Sequence, residues 1–365
     1  MIYLDNGATS LYKPASVTHA VVRAMQICGN PGRGGHKAAM EASRVVYTCR
    51  ERAANLFDCQ PEQVAFTSNC THGLNIAIRT LVKPGSRVVI SGFEHNAVTR
   101  PLHGLNARVT VAGRKLFDWN DTLSHFEDAL SRGADAAVIT HASNVFGYIL
   151  PVEEMAELCR MYRVPLIVDA AQSAGVLPIK LNALGAAFVA MPGHKGLLGP
   201  QGTGLLLCGQ EPMPLLLGGT GSQSASQDMP SFLPDRLEAG TLNVPGIAGL
   251  GEGLAYLHRH GISKILSEEQ RACKRCIRGL LNMGMQVFFG AHQLGTVSFV
   301  PPGDCEELAQ ALSQRDVAVR AGLHCAPLAH ESAKTLETGT VRVSFGQDAT
   351  VQQAERFLRV LDTLQ

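Results

Sequence analysis

Lys195 and Asp169 have the residue types and positions that suit covalent amine chemistry. Lys195 follows the apolar run 186–191 and a Pro-Gly break, in a turn rich in glycine. A lysine beside a buried strand is a candidate Schiff-base amine, because burial lowers its pKa. Asp169 ends the apolar part of VPLIVDAAQSAG. Taken singly, Lys195 is more typical of a lysine in a surface turn, and the alternative for Asp169 is a helix N-cap.

Alternating short β runs and helical stretches position these two residues. Between about residues 62 and 208 we predict the strands VAFTS, RVVIS, ARVTV, DAAVIT, PLIVDA, AAFVAM and LLLC. The pattern indicates an α/β fold with a mostly parallel sheet flanked by helices. Residues 210–245 are predicted as a long loop, and a smaller α+β domain follows. We assign 15–250 to a large domain and 1–14 with 251–365 to a small one. Successive strand ends then face one crevice, where open α/β sheets bind ligands.

The composition excludes several classes of function. Lys and Arg number 32 against 31 Asp and Glu, so neither nucleic acid nor an anionic membrane is an expected partner. We find neither a run long enough to span a membrane nor a secretory signal, which predicts a cytoplasmic protein. The 10 cysteines show no framework spacing and are expected to be free thiols. Cys273 and Cys276 form a CxxC, but zinc is not favoured without a second pair of ligands.

The segments VDAAQSAG and PGHKGLLGPQGTG resemble the aminotransferase class V family, whose members are fold type I pyridoxal-phosphate (PLP) enzymes. A later segment, RAGLHCAPL, resembles the cysteine desulfurase and selenocysteine lyase branch, in its group II form. The resemblance extends from YLDNGATS near the N-terminus to TVRVSFG near the C-terminus. Its implied cofactor is PLP.

The resemblance implies a role for each of several cofactor-binding residues. Lys195 would carry PLP, and Asp169 would keep the ring nitrogen protonated so that the ring withdraws electrons. His95 would stack on the ring and relay protons, and Gln172 would bind the phenolic oxygen. Asn144 would bind that oxygen or the substrate.

The phosphate is expected at the start of the helix that follows VAFTS, where backbone N–H groups and the helix dipole attract an anion. Pro192 departs from the family, because relatives have Ser or Thr there and proline cannot donate a hydrogen bond. Asn69 and Cys70 also replace the more usual Gly and Thr. The predicted phosphate ligands are Asn69, Cys70, Thr71 and His194, together with Thr241 reaching the partner subunit of a homodimer.

Cys325 is the predicted sulfur-accepting nucleophile of the resemblance. Arg320, Gly322 and His324 precede it in the matching segment, and neighbouring cationic groups favour a thiolate. A buried, inert cysteine is the alternative, and we expect that outcome for the other nine. The residues predicted at the substrate are Arg342 as the carboxylate clamp, Asn144, His36 and Ala8.

The predicted function is a PLP-dependent cysteine desulfurase that converts L-cysteine to L-alanine and passes the sulfur from Cys325 to an acceptor, which a protein could supply. One alternative is a selenocysteine lyase acting on L-selenocysteine. Another is a different class V reaction, such as that of an aminotransferase, epimerase or β-lyase. A non-enzymatic relative is the third, and it is opposed by the presence of Lys195, Asp169, His95 and Arg342.

Overall fold

The computed structural model describes residues 1–32 and 34–364. The strands are β1 Ile2–Tyr3, β2 Val64–Thr67, β3 Arg87–Ser91, β4 Arg108–Ala112, β5 Ala136–Thr140, β6 Leu166–Asp169, β7 Phe188–Pro192, β8 Gly204–Cys208, β9 Gln286–Phe288, β10 Thr296–Val300, β11 Val317–Ala318, β12 Arg320–Gly322 and β13 Thr340–Ser344. The helices are α1 Ala15–Ile27, α2 Lys37–Phe57, α3 Cys70–Leu81, α4 Asn96–Gly104, α5 Trp119–Ser131, α6 Val152–Tyr162, α7 Leu181–Leu184, α8 Val244–His260, α9 Ile262–Asn282, α10 Cys305–Ser313, α11 Pro327–Ala333 and α12 Val351–Asp362.

A seven-stranded sheet forms the centre of the larger part of the chain, in the order β2-β8-β7-β6-β5-β3-β4. The pairs from β7 to β4 are all parallel, whereas β8 runs antiparallel to both β7 and β2. The predicted α/β class with a mostly parallel sheet is therefore confirmed. LLLC, the predicted last strand, is the one reversed strand of this sheet among the described residues.

Both faces of the sheet are buried, which explains its continuous apolar strands. Alternate residues of one strand enter different cores: Ile139 belongs to the core that also contains residues of α2, α5, α6 and α8, whereas its neighbour Val138 belongs to the core that contains residues of α3 and α4. No helix or strand lies between β8 and α8, as predicted for the long loop. A buried ion pair between Arg50 and Glu238, at 2.8 Å, fixes the end of this loop to α2.

The C-terminal part has its own apolar core and a four-stranded antiparallel sheet, in the order β12-β13-β10-β9. Helices α9 and α12 pack against this sheet. The N-terminal arm joins the same part, because β1 pairs in parallel with β11. The domain boundary at residue 250 stays a prediction, and helix α8 runs continuously across that position.

No helix in the described ranges is long and apolar enough to cross a membrane. The ten cysteines are free, and Cys325 alone is exposed. Cys273 and Cys276 are buried in α9. Within residues 1–32 and 34–364, no three His, Cys, Asp or Glu side chains are grouped so that they could hold a metal ion.

Candidate active site

Asp169 and Lys195 line one cleft of about 520 Å³ at the carboxyl end of the large sheet. Asp169 is the last residue of β6, and Lys195 follows β7 by three residues. The turn after Lys195 packs so closely on the backbone at Gly175 (φ +82°) that a Cβ there would overlap the Gly196 carbonyl. This position therefore requires glycine. The two strand ends and this tight packing bring the acid and the amine together.

The Asp169 carboxylate is buried and only partly used by the protein. Its Oδ1 accepts hydrogen bonds from the Ala171 N–H at 2.9 Å and from the Cys70 thiol at 3.4 Å. Its Oδ2 accepts no hydrogen bond from the residues that the structure describes. One carboxylate oxygen is therefore available to a donor in the cleft, such as a pyridinium N–H.

The Lys195 amine lies in a desolvated and charged neighbourhood. Burial lowers the pKa of Lys195, and the Arg342 guanidinium lowers it further, against the opposing effects of Cys70 and Asp169. No described residue forms a hydrogen bond with its Nζ. Lowering the pKa favours the neutral amine, which is the form that acts as a nucleophile and as a base.

The start of α3 forms the other end of the cleft. Asn69 caps this helix through its side chain, which accepts from the His72 N–H at 2.9 Å. The N–H groups of Cys70 and Thr71 have no partner among the described residues, so they and the helix dipole can bind an anion. His194 and Pro192 line the same end. The Nδ1 atom of His194 lies 3.0 Å from Thr9 Oγ1, and burial lowers the pKa of His194 to about 4.

The remaining predicted cofactor ligands, His95, Asn144 and Gln172, also line the cleft. His95 caps α4, since its Nδ1 accepts from the Ala97 N–H at 3.0 Å, which leaves the proton of the neutral ring on Nε2. Burial lowers the pKa of His95, although Asp169 opposes the shift. The Gln172 amide donates to the Gly7 carbonyl at 3.0 Å. Asn144 Oδ1 is buried without a partner among the described residues.

Two hydrogen bonds attach the Cys325 segment to the region of the cleft wall, one from the lining residue Asn144 and one from Asn96, which lies between the lining residues His95 and Ala97. Asn144 Nδ2 donates to the His324 carbonyl at 2.7 Å, and the Asn96 N–H donates to the Cys325 carbonyl at 2.7 Å. Cys325 is exposed and has a left-handed backbone, with φ +56°. His324 is buried, and burial lowers its pKa to about 2, so this ring is neutral and supplies no charge to the thiol. Arg320 is the cation of this segment.

Arg342, the predicted carboxylate clamp, is buried on β13 and already has two partners. Its Nη1 donates to the Asn144 carbonyl at 2.9 Å, and its Nη2 donates to Asp5 Oδ1 at 2.8 Å. The Nε atom has no partner among the residues described. Arg342 thus contacts the Asn144 backbone at the cleft wall, and its Nε is the one guanidinium nitrogen without a partner among the described residues.

Five predicted residues do not line this cleft in the single subunit: Cys325 and Arg342, which reach it only through hydrogen bonds with Asn144 or its neighbours, and His36, Thr241 and Ala8. His36 is exposed and caps α2, with its Nδ1 3.4 Å from the Ala39 N–H. Thr241 is also exposed, in the loop before α8. Ala8 lies in the N-terminal arm, next to Gly7, whose carbonyl accepts the hydrogen bond from the Gln172 amide. The substrate roles of His36 and Ala8 and the cross-subunit role of Thr241 stay predictions.

Sequence reasoning missed two carboxyl groups near the cleft. Glu94, next to His95, is fully buried, and its Oε1 accepts from Ser91 Oγ at 2.6 Å and from the Thr140 N–H at 2.9 Å. Burial raises the pKa of Glu94 to about 8. Asp5 lies between two arginines that are more than 300 residues away in the chain. In the sequence, the position of Glu94 directly before His95 was a weak indication that this acid lies near the cleft. No sequence feature indicated the position of Asp5.

The family model for aminotransferase class-V matches residues 2–357. The chain belongs to this family. The fold type I architecture that the resemblance implied agrees with the sheet order and the site at its carboxyl edge. A probable cysteine desulfurase of Pyrococcus abyssi is 32% identical over 385 residues, covering 100% of this chain and 94% of the relative.

Solved structures of similar proteins agree with this family assignment. The apo structure of a cysteine desulfurase from Thermococcus onnurineus NA1 has a TM-score of 0.92 and 31% identity, covering 100% of this class V chain and 94% of the other. A cysteine desulfurase from Escherichia coli in an S-sulfonic acid form has a TM-score of 0.85 and 25% identity, covering 99% and 94%. The predicted resemblance to the desulfurase branch is confirmed.

Proposed function

We propose that this protein is a PLP-dependent cysteine desulfurase, which converts L-cysteine to L-alanine and transfers the sulfur to Cys325. The observation that carries the proposal is the attachment of the exposed Cys325 segment to the wall of the Lys195–Asp169 cleft, through Asn144 and Asn96. The names of the similar proteins support the same activity.

PLP fits the donors and acceptors of the cleft. Lys195 would hold the coenzyme covalently, Asp169 Oδ2 would accept from its ring N–H, and the free N–H groups of Cys70 and Thr71 would receive its phosphate. When bound, PLP withdraws electrons from the substrate Cα and so makes its proton acidic. His95 lies at the cleft wall with its neutral ring able to cover the coenzyme.

Lys195 and Arg342 prepare the substrate. The lowered pKa of Lys195 favours its neutral form, which can remove the Cα proton of the bound amino acid. The unpartnered Nε of Arg342 would bind the α-carboxylate by a charge-assisted hydrogen bond.

Cys325 performs the sulfur transfer. Its thiolate attacks the substrate Sγ, an S–S bond forms, the Cβ–Sγ bond breaks, and the bonding electron pair stays on the substrate carbon. Cβ takes up a proton and Lys195 returns a proton to Cα to give L-alanine, so the sulfur is oxidised by two electrons and Cβ is reduced by two. Exposure of Cys325 then allows a second thiol, small or on an acceptor protein, to collect the sulfur. The homodimer, in which Thr241 reaches the partner's phosphate, belongs to this proposal.

Incubation of the PLP-loaded protein with L-cysteine tests the function. We expect L-alanine and a persulfide on Cys325, measured together by amino-acid analysis and by mass spectrometry of the Cys325 peptide. Cys325→Ala should retain the coenzyme absorbance but lower sulfur release by about 100-fold or more, the order seen when a nucleophile is removed.

Cys59→Ala is the matched control, because Cys59 is a partly exposed thiol outside the cleft. It should leave both products unchanged. Persulfide formation at an undiminished rate in Cys325→Ala would overturn the assignment of the nucleophile. L-selenocysteine as a second substrate distinguishes a selenocysteine lyase, whose alanine formation would survive that substitution.

A further inference from the structure

The N-terminal arm binds the peptide that joins His194 to Lys195. The His194 carbonyl accepts from the Ser10 N–H and from Ser10 Oγ, each at 3.0 Å, and Thr9 Oγ1 lies 3.1 Å from the same oxygen. Thr9 Oγ1 is also 3.0 Å from Nδ1 of the His194 ring. Because a hydroxyl has one proton, Thr9 donates either to the carbonyl or to the ring.

Lys13 orients the Ser10 hydroxyl and so fills the His194 carbonyl. Its Nζ lies 2.8 Å from Ser10 Oγ and, as an ammonium, can only donate. Burial lowers the pKa of Lys13 to about 8, so the ammonium is the main form at pH 7. Ser10 Oγ therefore accepts from Lys13 and gives its own proton to the His194 carbonyl. Together with the Ser10 N–H, this hydroxyl occupies both lone pairs of the carbonyl oxygen.

The Thr9 hydroxyl is then free to donate to the His194 ring. Its distance of 3.0 Å to Nδ1 is also shorter than the 3.1 Å to the carbonyl oxygen. Burial lowers the pKa of His194 to about 4, and the charges of Lys195 and Lys13 add to the shift, so the ring is neutral at pH 7. A neutral imidazole whose Nδ1 accepts a hydrogen bond carries its proton on Nε2.

The tautomer of His194 affects anion binding because His194 lines the end of the cleft where the phosphate is expected. The oxygens of a phosphate dianion only accept hydrogen bonds, so a protonated Nε2 attracts it and an unprotonated Nε2 repels it. Pro192 lines the same end and has no donor. With its proton on Nε2, His194 adds a side-chain donor to the backbone N–H groups of Cys70 and Thr71.

We propose that Thr9 is a positioning residue for phosphate binding: it donates to His194 Nδ1 and keeps the ring proton on Nε2, from which the ring donates to the phosphate of the coenzyme. Thr9 is not among the residues that line the cleft, so it acts through His194. Ser10 and Lys13 support this role by occupying the His194 carbonyl. The inference rests on the proposed function in taking PLP as the ligand, whereas the tautomer of His194 belongs to the protein alone.

Nitrogen-15 NMR of the histidine-labelled apoprotein measures the tautomer without any coenzyme. The His194 signals are assigned as those that His194→Ala loses. At pH 7 we expect a protonated, pyrrole-like Nε2 and an unprotonated, pyridine-like Nδ1. A ring that carries its proton mainly on Nδ1, or on both nitrogens, would overturn the proposal. This measurement uses the wild type, so it decides the question even where a Thr9 variant does not fold.

Equilibrium dialysis of PLP and of pyridoxal, which lacks the phosphate, tests the role in binding. Thr9→Val keeps the shape of the side chain without the hydroxyl. It should raise the dissociation constant of PLP at least about fivefold and leave that of pyridoxal within about twofold. Thr9→Ser restores the donor and should bind PLP like the wild type, as should Thr18→Val on the exposed side of α1. Equal effects of Thr9→Val on the two ligands, or no effect on either, refute the inference.

A double-mutant cycle separates a role through His194 from a general structural role of Thr9. Because His194→Ala removes the ring, adding Thr9→Val to it should change PLP affinity by less than about twofold. A further loss as large as that of Thr9→Val alone would show that Thr9 acts independently of His194. L-cysteine turnover by the wild type tests the proposed function separately, and its absence would leave the NMR result on His194 unchanged.

Discussion

Pro192 is the cleft residue whose chemistry fits its position least well. It ends β7 at the phosphate side of the cleft, beside His194, but it has neither an N–H nor a side-chain donor. An anion there would therefore be bound by the N–H groups of Cys70 and Thr71 and by the α3 dipole.

Pro192→Ser should tighten PLP binding. A serine hydroxyl at this position can donate to the phosphate, and a hydrogen bond to a charged group contributes about 1.5–3 kcal/mol, or roughly tenfold or more in affinity. Equilibrium dialysis of PLP against the apoprotein measures the change. Pro200→Ser, in the turn after Lys195 and outside the cleft, is the control that should leave affinity unaltered.

Asp169→Asn should lower alanine formation from L-cysteine by at least about 100-fold, because the carboxylate that stabilises the ring N–H charge is lost. The fold should be retained, since asparagine can still accept from the Ala171 N–H. Alanine formation is measured with saturating PLP, so that weaker coenzyme binding does not account for the loss. Asp118→Asn, at the start of α5 and outside the cleft, should behave as the wild type.

At the level of elements, the junction between α9 and the C-terminal sheet contains an unusual buried acid. Glu269 of α9 is 6% exposed and has no hydrogen-bond partner among the residues described. Burial raises its pKa to about 8, and Asp348 adds to the shift. Glu269 lines a cavity that also reaches Lys195 and Gln172, so its charge state affects packing next to the active site.

Glu269 should make the protein less stable as pH rises. The folded state keeps this proton up to a pH of about 8, whereas the unfolded chain loses it near 4.5. Between these values the folded state binds more protons, so the free energy of unfolding falls with pH, by up to roughly 1.4 kcal/mol per unit.

Glu269→Gln should reduce that dependence and leave the part due to Glu94, whose pKa burial also raises to about 8; urea unfolding at pH 5.5, 6.5 and 7.5 measures the change. Its neighbour Glu268 has a more exposed side chain and pairs weakly with Arg271, so Glu268→Gln should keep the wild-type slope. Equal slopes in the two variants would show that Glu269 is not the titrating group.

The elements that carry the motifs were predictable because their signals are local. Apolar runs predicted the strands of the large sheet, and the rule that parallel strands end at one edge predicted that Asp169 and Lys195 share a cleft. The Asp5 cluster was not predictable, since its arginines are 315 and 337 residues away. His36 was predicted at the substrate from a motif match, but a motif match cannot show that its ring accepts a hydrogen bond from the first turn of α2.

At the scale of the whole molecule, two identical subunits would complete each site. Thr241 is exposed in one subunit and is not among the residues that line that subunit's cleft, which is compatible with a contribution to the partner. Thr241→Glu would place a negative charge against the partner's phosphate without disturbing its own subunit.

Hybrid dimers test this arrangement. Lys195→Ala and Thr241→Glu subunits should each be nearly inactive alone. After the two are unfolded and refolded together, about half of the dimers are hybrids with one intact site, so activity should recover to about a quarter of the wild type. Ser224→Glu, exposed in the same loop, should remain active by itself. Failure of the mixture to recover activity, with hybrids detected by mass, contradicts a shared site.

The N-terminal arm can take its place in the fold only after nearly the whole chain has been synthesised. Ile2 and Leu4 bond to the backbone of Asp316 and Ala318, and Asn6 bonds to Ser344, while Ser10 bonds to the carbonyl beside Lys195. The arm leaves the ribosome first, whereas its partners between residues 316 and 344 leave it near the end of translation. The first residues made must therefore wait for nearly the last before the arm can lie across the cleft, and a nascent chain lacking its final strand has no finished catalytic centre.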